Sequence, residues 1–260
     1  MSAKLGASKI RAVVRGRFSV LFWFLVVAIA VPVVIPDGPV IRTVMGIALF
    51  VLMLSGLRVI SDRKRHMVIG LALCVPAVLL NLAGLATENF WMYQVSQYLY
   101  LAFFVFLAVK MLRWTMQQHE VDSETIYAAV SVYLLMALIW AVAYYTIALV
   151  APGSFHFPDG DTLGQVQSAR MEALEASGEL EPTAEWTTIA ETVQGTMMYY
   201  SFVTLTTLGY GDIYPIGDAA RILAMLEATL GQLYLVILVA RLVGLYTSQE
   251  AERRRKATPT

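Results

Sequence analysis

Val203-Thr204-Leu205-Thr206-Thr207-Leu208-Gly209-Tyr210-Gly211-Asp212 is the stretch on which the reading of the chain turns. Two glycines flank an aromatic residue, a threonine stands two places before the first, and an acid follows the second. Glycine takes φ > 0 at little steric cost, so successive carbonyls can point to one side instead of alternating as in a strand. Long apolar segments lie on both sides, and Pro215 follows closely. A plain glycine-rich turn between two membrane helices would explain neither the Thr206-Thr207 pair nor this setting.

Thr207-Leu208-Gly209-Tyr210-Gly211-Asp212 resembles the selectivity filter of tetrameric potassium channels. In that family, four such stretches around an axis make rings of carbonyl oxygens that replace the water shell of K⁺. The resemblance implies that K⁺ is held by the Thr207 side chain and by the carbonyls of Thr207, Leu208, Gly209 and Tyr210. Gly211 then forms the outer mouth, and Asp212 concentrates cations there. Tyr199 and Tyr200 match the aromatic pair that braces the filter, the first bonding the acid at Asp212 and the second the tyrosine at Tyr210. Many members carry tryptophan at one or both places. Thr206 belongs to the same support. Val203 stands where some members have a glutamate that reaches Asp212, so that link is missing. One strand cannot ring an ion, and the sequence holds one filter and no repeat, so a homotetramer is implied.

Composition agrees with a membrane protein. The 260 residues are 58% hydrophobic and 15% charged, with mean hydropathy +0.64, more apolar than a soluble core of this size needs. The single cysteine, Cys74, lies in an apolar stretch and excludes an intrachain disulfide. The basic start resembles the n-region of a signal peptide. The apolar run behind it is long enough to span and lacks a small-x-small cleavage site, so it reads as the first membrane segment.

Residues 1–17 carry Lys4, Lys9, Arg11, Arg15 and Arg17 and no acid, which places this end in the cytoplasm. Residues 18–113 then read as four membrane segments, at about 18–35, 40–60, 66–86 and 90–113, each near the length a helix needs to cross. The first ends at the tight turn Pro36-Asp37-Gly38-Pro39. Residues 114–124 form a polar inner linker, with Ser123 as the expected N-cap of the next helix. The pore domain covers 125–247, with a polar, acidic outer stretch at 151–192, and a short basic tail follows at 248–260. Predicted inner segments hold 15 of the 19 Lys and Arg, while Arg42, Arg170 and Arg221 fall outside. Six spans with both ends inside a multi-pass cell-membrane protein satisfy that distribution. The expected fold is therefore all-α, with six transmembrane helices and a re-entrant pore helix and filter between helices five and six.

By the resemblance, about 193–205 is the pore helix and segment six, at about 217–247, lines the inner cavity. A filter with bare carbonyls must be packed behind by protein rather than lipid, which agrees. The pore helix aims its negative dipole end at the cavity ion. Gly231 lies 20 residues after Gly211, the family's spacing for an inner-helix hinge; close helix packing explains a glycine there equally well. Gln232, Leu235, Val239 and Val243 follow at helical spacing as cavity and inner-gate residues. Arg241 falls off that face and is expected to snorkel toward phosphates. Glu227, an acid inside segment six, is expected to make a structural hydrogen bond behind the filter. Residues 163–177 suit a short helix within the acidic stretch, whose acids read mainly as a solvated turret.

The function these readings point to is passive, selective K⁺ conduction without enzymatic activity. Non-selective cation conduction and a K⁺-uptake subunit are the alternatives. No metal-ligand cluster, nucleophile motif or phosphate loop appears in the sequence. The expected partners are further copies of the chain and membrane lipids, with anionic headgroups as candidates at 63–65 and 253–256. No cofactor and no nucleic acid is expected. Six spans with the pore last is also the layout of voltage-gated members. Here the fourth segment is neutral until Lys110 and Arg113, so voltage sensing is not expected.

Overall fold

A computed structural model describes residues 16–34, 39–61, 63–87, 89–158, 164, 165, 168, 171, 172 and 186–257. The basic start at 1–15, the Pro36-Asp37-Gly38 turn and most of the acidic stretch at 159–185 lie outside the described residues. Within the expected helix at 163–177, the described positions 164, 165, 168, 171 and 172 are helical.

The main elements are α1 (Arg17–Val34), α2 (Pro39–Ile60), α3 (Lys64–Ala86), α4 (Phe90–Gln117), α5 (Ser123–Val150), β1 (Phe155–His156), α6 (Trp186–Leu205), β2 (Tyr214–Pro215) and α7 (Asp218–Ala257). Among the described residues, four helical stretches are long and apolar enough to cross a membrane: Lys64–Gly84, Phe90–Gln117, Ser123–Val150 and Asp218–Ala251. Arg17–Ala30 and Gly46–Ile60 are shorter apolar stretches among the described residues. Proline opens α2, where its missing N–H costs no helical bond. Asn89 caps α4 by accepting from the Met92 N–H at 3.0 Å.

Two expected boundaries are corrected. The N-cap of α5 is Asp122, not Ser123. Its carboxylate accepts from both the backbone N–H and the hydroxyl of Thr125, at 2.8 and 2.7 Å, and a carboxylate also complements the positive helix end. Helix α4 runs past Arg113 into the expected linker, because Trp114 lies against Phe18 with ring centroids 4.2 Å apart and Thr115 is buried. Helices α6 and α7 also exceed the expected spans, α6 by starting at Trp186 and α7 by continuing through the described part of the basic tail.

The short linker at 118–122 forces α4 and α5 to be neighbours, so the first four helices pack against their own pore domain. Helix α1 rests on α2 and α5, and α3 on α4. Their shared core joins Leu21 and Leu25, Leu52 and Met53, Phe103, Phe104 and Leu107, and Leu135. Cys74 is buried in it as a small apolar residue. A second core closes the other end of α5, where Tyr144, Phe155 and Tyr200 meet edge to face at 5.0 to 5.8 Å. Here β1 and β2 pair antiparallel, with Phe155 opposite Pro215, and His156 stacks on Tyr214.

Candidate functional site

Helix α6 ends at Leu205, and the chain then turns back on the helix end. The N–H groups of Leu208 and Gly209 both reach the Val203 carbonyl, at 2.9 and 3.3 Å, while Thr207 N–H reaches Thr204 O at 3.0 Å. In a trans peptide the carbonyl points opposite to the following N–H, and there is no cis bond among the described residues. The carbonyls of Thr206, Thr207 and Leu208 therefore all point away from the end of α6. Positive φ then recurs at every second residue: +59° at Thr207, +58° at Gly209 and +79° at Gly211. Glycine takes these angles cheaply. For β-branched Thr207 the angle is a strain of order 1–3 kcal/mol, the kind retained where a site requires it. Leu208 and Tyr210 are exposed, as is the stretch from Thr206 to Asp212.

The outer side of this loop is pinned from two directions. Tyr199 Oη donates to Asp212 Oδ2 at 2.8 Å, the pairing the resemblance implied. Ile216 and Gly217 donate their N–H groups to Ser154 O at 2.8 and 3.1 Å, which ties the segment after the loop to the end of α5. Tyr200 is buried against Tyr144 and Phe155, which anchors α6 on the second core. Thr206 Oγ1 bonds back to Phe202 O at 2.7 Å. Val203 is buried and contributes its backbone carbonyl instead of a side-chain link to Asp212.

Helix α7 touches the rest of the chain along a narrow seam. Ala220, Glu227, Gly231 and Leu238 are buried at spacings of seven, four and seven, which is one helix face. Glu227 is 0% exposed and makes the expected hydrogen bond twice, accepting from Tyr144 Oη at 2.7 Å and pairing closely with Ser201 Oγ. Ala137 O lies 2.8 Å from the same Ser201 hydroxyl, a second acceptor within its reach. The carboxyl thus joins α5, α6 and α7 just before the loop. One turn on, a Cβ at Gly231 would come within 2.6 Å of Leu205 Cδ1 and 3.0 Å of Leu205 O. Helix α7 is unbroken through this point, so close packing accounts for the glycine in this conformation. Gln232, Leu235, Val239 and Val243 are all exposed, off the seam.

Arg241 corrects an expectation. Its Nη2 donates to Met116 O and Gln118 O at 2.6 and 2.8 Å, so it binds the end of α4 rather than reaching for phosphates. Terminal helix carbonyls lack intrahelical partners and carry the negative dipole end, which suits a guanidinium.

The sequence reading missed Tyr133, whose Oη donates to Leu205 O at 3.2 Å, and Tyr234, whose Oη donates to Ala129 O at 2.6 Å. It also missed Ser201 and Tyr144. One signal was available: a buried acid in an apolar helix needs donors, and hydroxyl-bearing residues on neighbouring helices are the natural source.

The family described as "Ion channel" matches residues 184–248, which covers α6, the loop and most of α7. No curated protein and no solved structure matches the chain. Residues 184–248 are thus similar to an ion channel domain, a class that conducts passively and is not an enzyme class, in a chain whose described helices include four apolar and long enough to cross a membrane.

Proposed function

We propose that the chain forms a K⁺-selective channel as a homotetramer, with the loop at 206–212 as a re-entrant selectivity filter. The observation that carries this reading is the loop geometry: carbonyls of consecutive residues aimed away from α6, with positive φ at Thr207, Gly209 and Gly211. Exposed carbonyls in one chain become stacked oxygen rings when four chains surround an axis. The backbone at 207–210 and the Thr207 hydroxyl supply the oxygens; Tyr199 and Asp212 hold the outer mouth. Helix α7 lines the cavity with Gln232, Leu235 and Val239, and Val243 forms the apolar inner constriction. Gly231, packed on Leu205 here, is the point at which α7 would bend on opening. Six spans with both termini in the cytoplasm complete the topology, and K⁺ is the permeant ion rather than a cofactor.

Purified protein in planar bilayers with opposed K⁺ and Na⁺ gradients tests this. A reversal potential close to the K⁺ equilibrium value, from particles with the mass of four chains, is expected. A reversal potential near zero with intact tetramers would indicate a non-selective cation pore.

A further inference from the structure

We infer that Tyr133 of α5 is a positioning residue for the loop, holding the last backbone carbonyl before the oxygens proposed to bind K⁺; the inference rests on that reading of the loop. The last four carbonyls of a helix have no partner within it. At the end of α6, the chain that follows supplies donors for three of them. Phe202 O takes the Thr206 N–H at 3.0 Å, Thr204 O takes the Thr207 N–H at 3.0 Å, and Val203 O takes those of Leu208 and Gly209. Leu205 O is the fourth, and its donor comes from another helix: Tyr133 Oη, at 3.2 Å.

That carbonyl marks a boundary. Among the described residues, no hydrogen bond reaches the carbonyls of Thr206, Thr207 and Leu208, which point away from α6. The peptide unit between Leu205 and Thr206 is planar and is held at both ends, its oxygen by Tyr133 and its N–H by Phe202 O. Just beyond it, Thr207 stands at φ +59°, and such an angle in a β-branched residue persists only where its surroundings enforce it. Freed at its oxygen, the plane before Thr206 could turn and let Thr207 relax. The Thr207 carbonyl and hydroxyl, the first of the proposed K⁺ ligands along the chain, would then move together.

Tyr133 is itself held in place. Its ring stacks on Tyr234 of α7, with centroids 6.2 Å apart and planes at 17°. The Tyr234 hydroxyl in turn donates to Ala129 O, one turn earlier on α5, at 2.6 Å. Helix α7 also comes close to the same carbonyl, because a Cβ at Gly231 would stand 3.0 Å from Leu205 O. Helices α5 and α7 therefore converge on one oxygen of α6. A tyrosine that only packed α5 against α6 would not need its hydroxyl aimed at the one terminal carbonyl for which the following chain supplies no donor.

The test compares the full-length wild type with Tyr133→Phe, which keeps the ring and removes the donor. Tyr234→Phe is the control, since it too takes one hydroxyl from a helix carbonyl but leaves Leu205 O alone. Thermal unfolding of each in uncharged detergent is followed as Na⁺ is replaced by K⁺ at constant total salt. Wild type should show a saturable rise in Tm with K⁺. Tyr133→Phe should need at least about threefold more K⁺ for half of that rise, since one net hydrogen bond is lost in each chain. Tyr234→Phe should keep the wild-type midpoint. A bond that only held the helices together would lower Tm alike in both salts and leave the midpoint unmoved. Should Tyr133→Phe fail to fold, Gly231→Ala, which crowds the same oxygen, should raise the midpoint instead, and a wild-type midpoint there would count against the inference. An unchanged midpoint in Tyr133→Phe, or an equal shift in Tyr234→Phe, would overturn the inference and leave the filter reading standing. No K⁺-dependent rise in wild type would overturn the filter reading and the inference with it.

Discussion

In α4, 44% of the apolar span is buried inside a single chain; in α7 only 17% is. Both helices are apolar, so composition does not separate them. Around α4, the aromatic residues Phe103 and Phe104 and the aliphatic Leu107 find partners on α1, α2 and α5, and the core closes. Helix α7 leaves Met225, Leu233, Val236 and Val239 bare, and just beyond α6 the loop at 206–212 is exposed too. Lipid can cover bare apolar side chains about as well as protein can, so the naked face of α7 does not by itself call for partners. Backbone carbonyls are different, because hydrocarbon offers them nothing. The polar loop, not the apolar helix, is what supports the proposed assembly of several chains.

Damaging the loop should have the largest effect of all. Gly209→Ala places a side chain at φ +58°, costing on the order of 1–2 kcal/mol in each chain of the proposed tetramer. Reversal potentials should lose their preference for K⁺ over Na⁺ while membrane insertion and the four-helix core persist. An unchanged preference in a verified Gly209→Ala tetramer would remove the loop from the ion path.

The carboxyl that joins α5, α6 and α7 comes next. Glu227→Ala leaves the Tyr144 hydroxyl in a dry site without its partner, at about 1–3 kcal/mol for the unsatisfied group, while Ser201 keeps Ala137 O. Glu227→Gln keeps the volume, an acceptor and donors. Thermal unfolding of the purified protein should therefore fall well below wild type for alanine and stay near it for glutamine. Equal losses for both would mean that the carboxylate charge, rather than the hydrogen bonds, is what the site uses.

How far the sequence could show this differs between the two regions. The helices of the first four segments were legible to within a few residues, because apolar runs broken by charged or turn residues have a simple cause. The Trp114 contact that lengthens α4 was not, since it depends on which ring comes to lie beside Phe18. In the pore region, positive φ at Gly209 and Gly211 follows from residue type. Positive φ at Thr207 does not, because the angle opposes a β-branched side chain and is imposed by the bonds around it. Arg241 misled for a related reason. Snorkelling is the default for a lone cation near a helix end, and only tertiary structure shows that the open carbonyls of α4 lie within reach.

Gly231→Ala should produce a smaller and signed effect. If the glycine serves only as a hinge, alanine should stiffen α7 and raise stability by about 1 kcal/mol through helix propensity. The contact with Leu205 predicts the opposite sign. A methyl 3.0 Å from a backbone oxygen forces α6 and α7 apart, at roughly 1–3 kcal/mol. A lowered unfolding temperature is expected, and a raised one would return the residue to the hinge reading. Because Leu205 ends the helix that leads into the loop, the same variant should also disturb conduction.

The smallest effect is expected from voltage, and it bears directly on what the four-helix region does. A charge that crosses the whole field contributes about 2.3 kcal/mol per 100 mV, and steep gating needs three or four such charges in each subunit. Helix α4 offers Lys110 and Arg113, both near one end. Neither is placed to travel. Lys110 is engaged by His66, and Lys110 and Arg113 line one cavity together with Arg17, Arg63 and His66. The α4 stretch from Phe90 to Val109 has no cation, and its buried polar residues Gln94, Ser96 and Gln97 are neutral. The closed core around Phe103 and Leu107 also opposes the sliding of α4 that a sensor requires, since each side chain would have to leave a packed site. Open probability measured between about −100 and +100 mV should therefore change only weakly. A steep sigmoid abolished by Lys110→Gln/Arg113→Gln would show that this region moves in the field, and the contrast between a static bundle and an unfinished pore would fail.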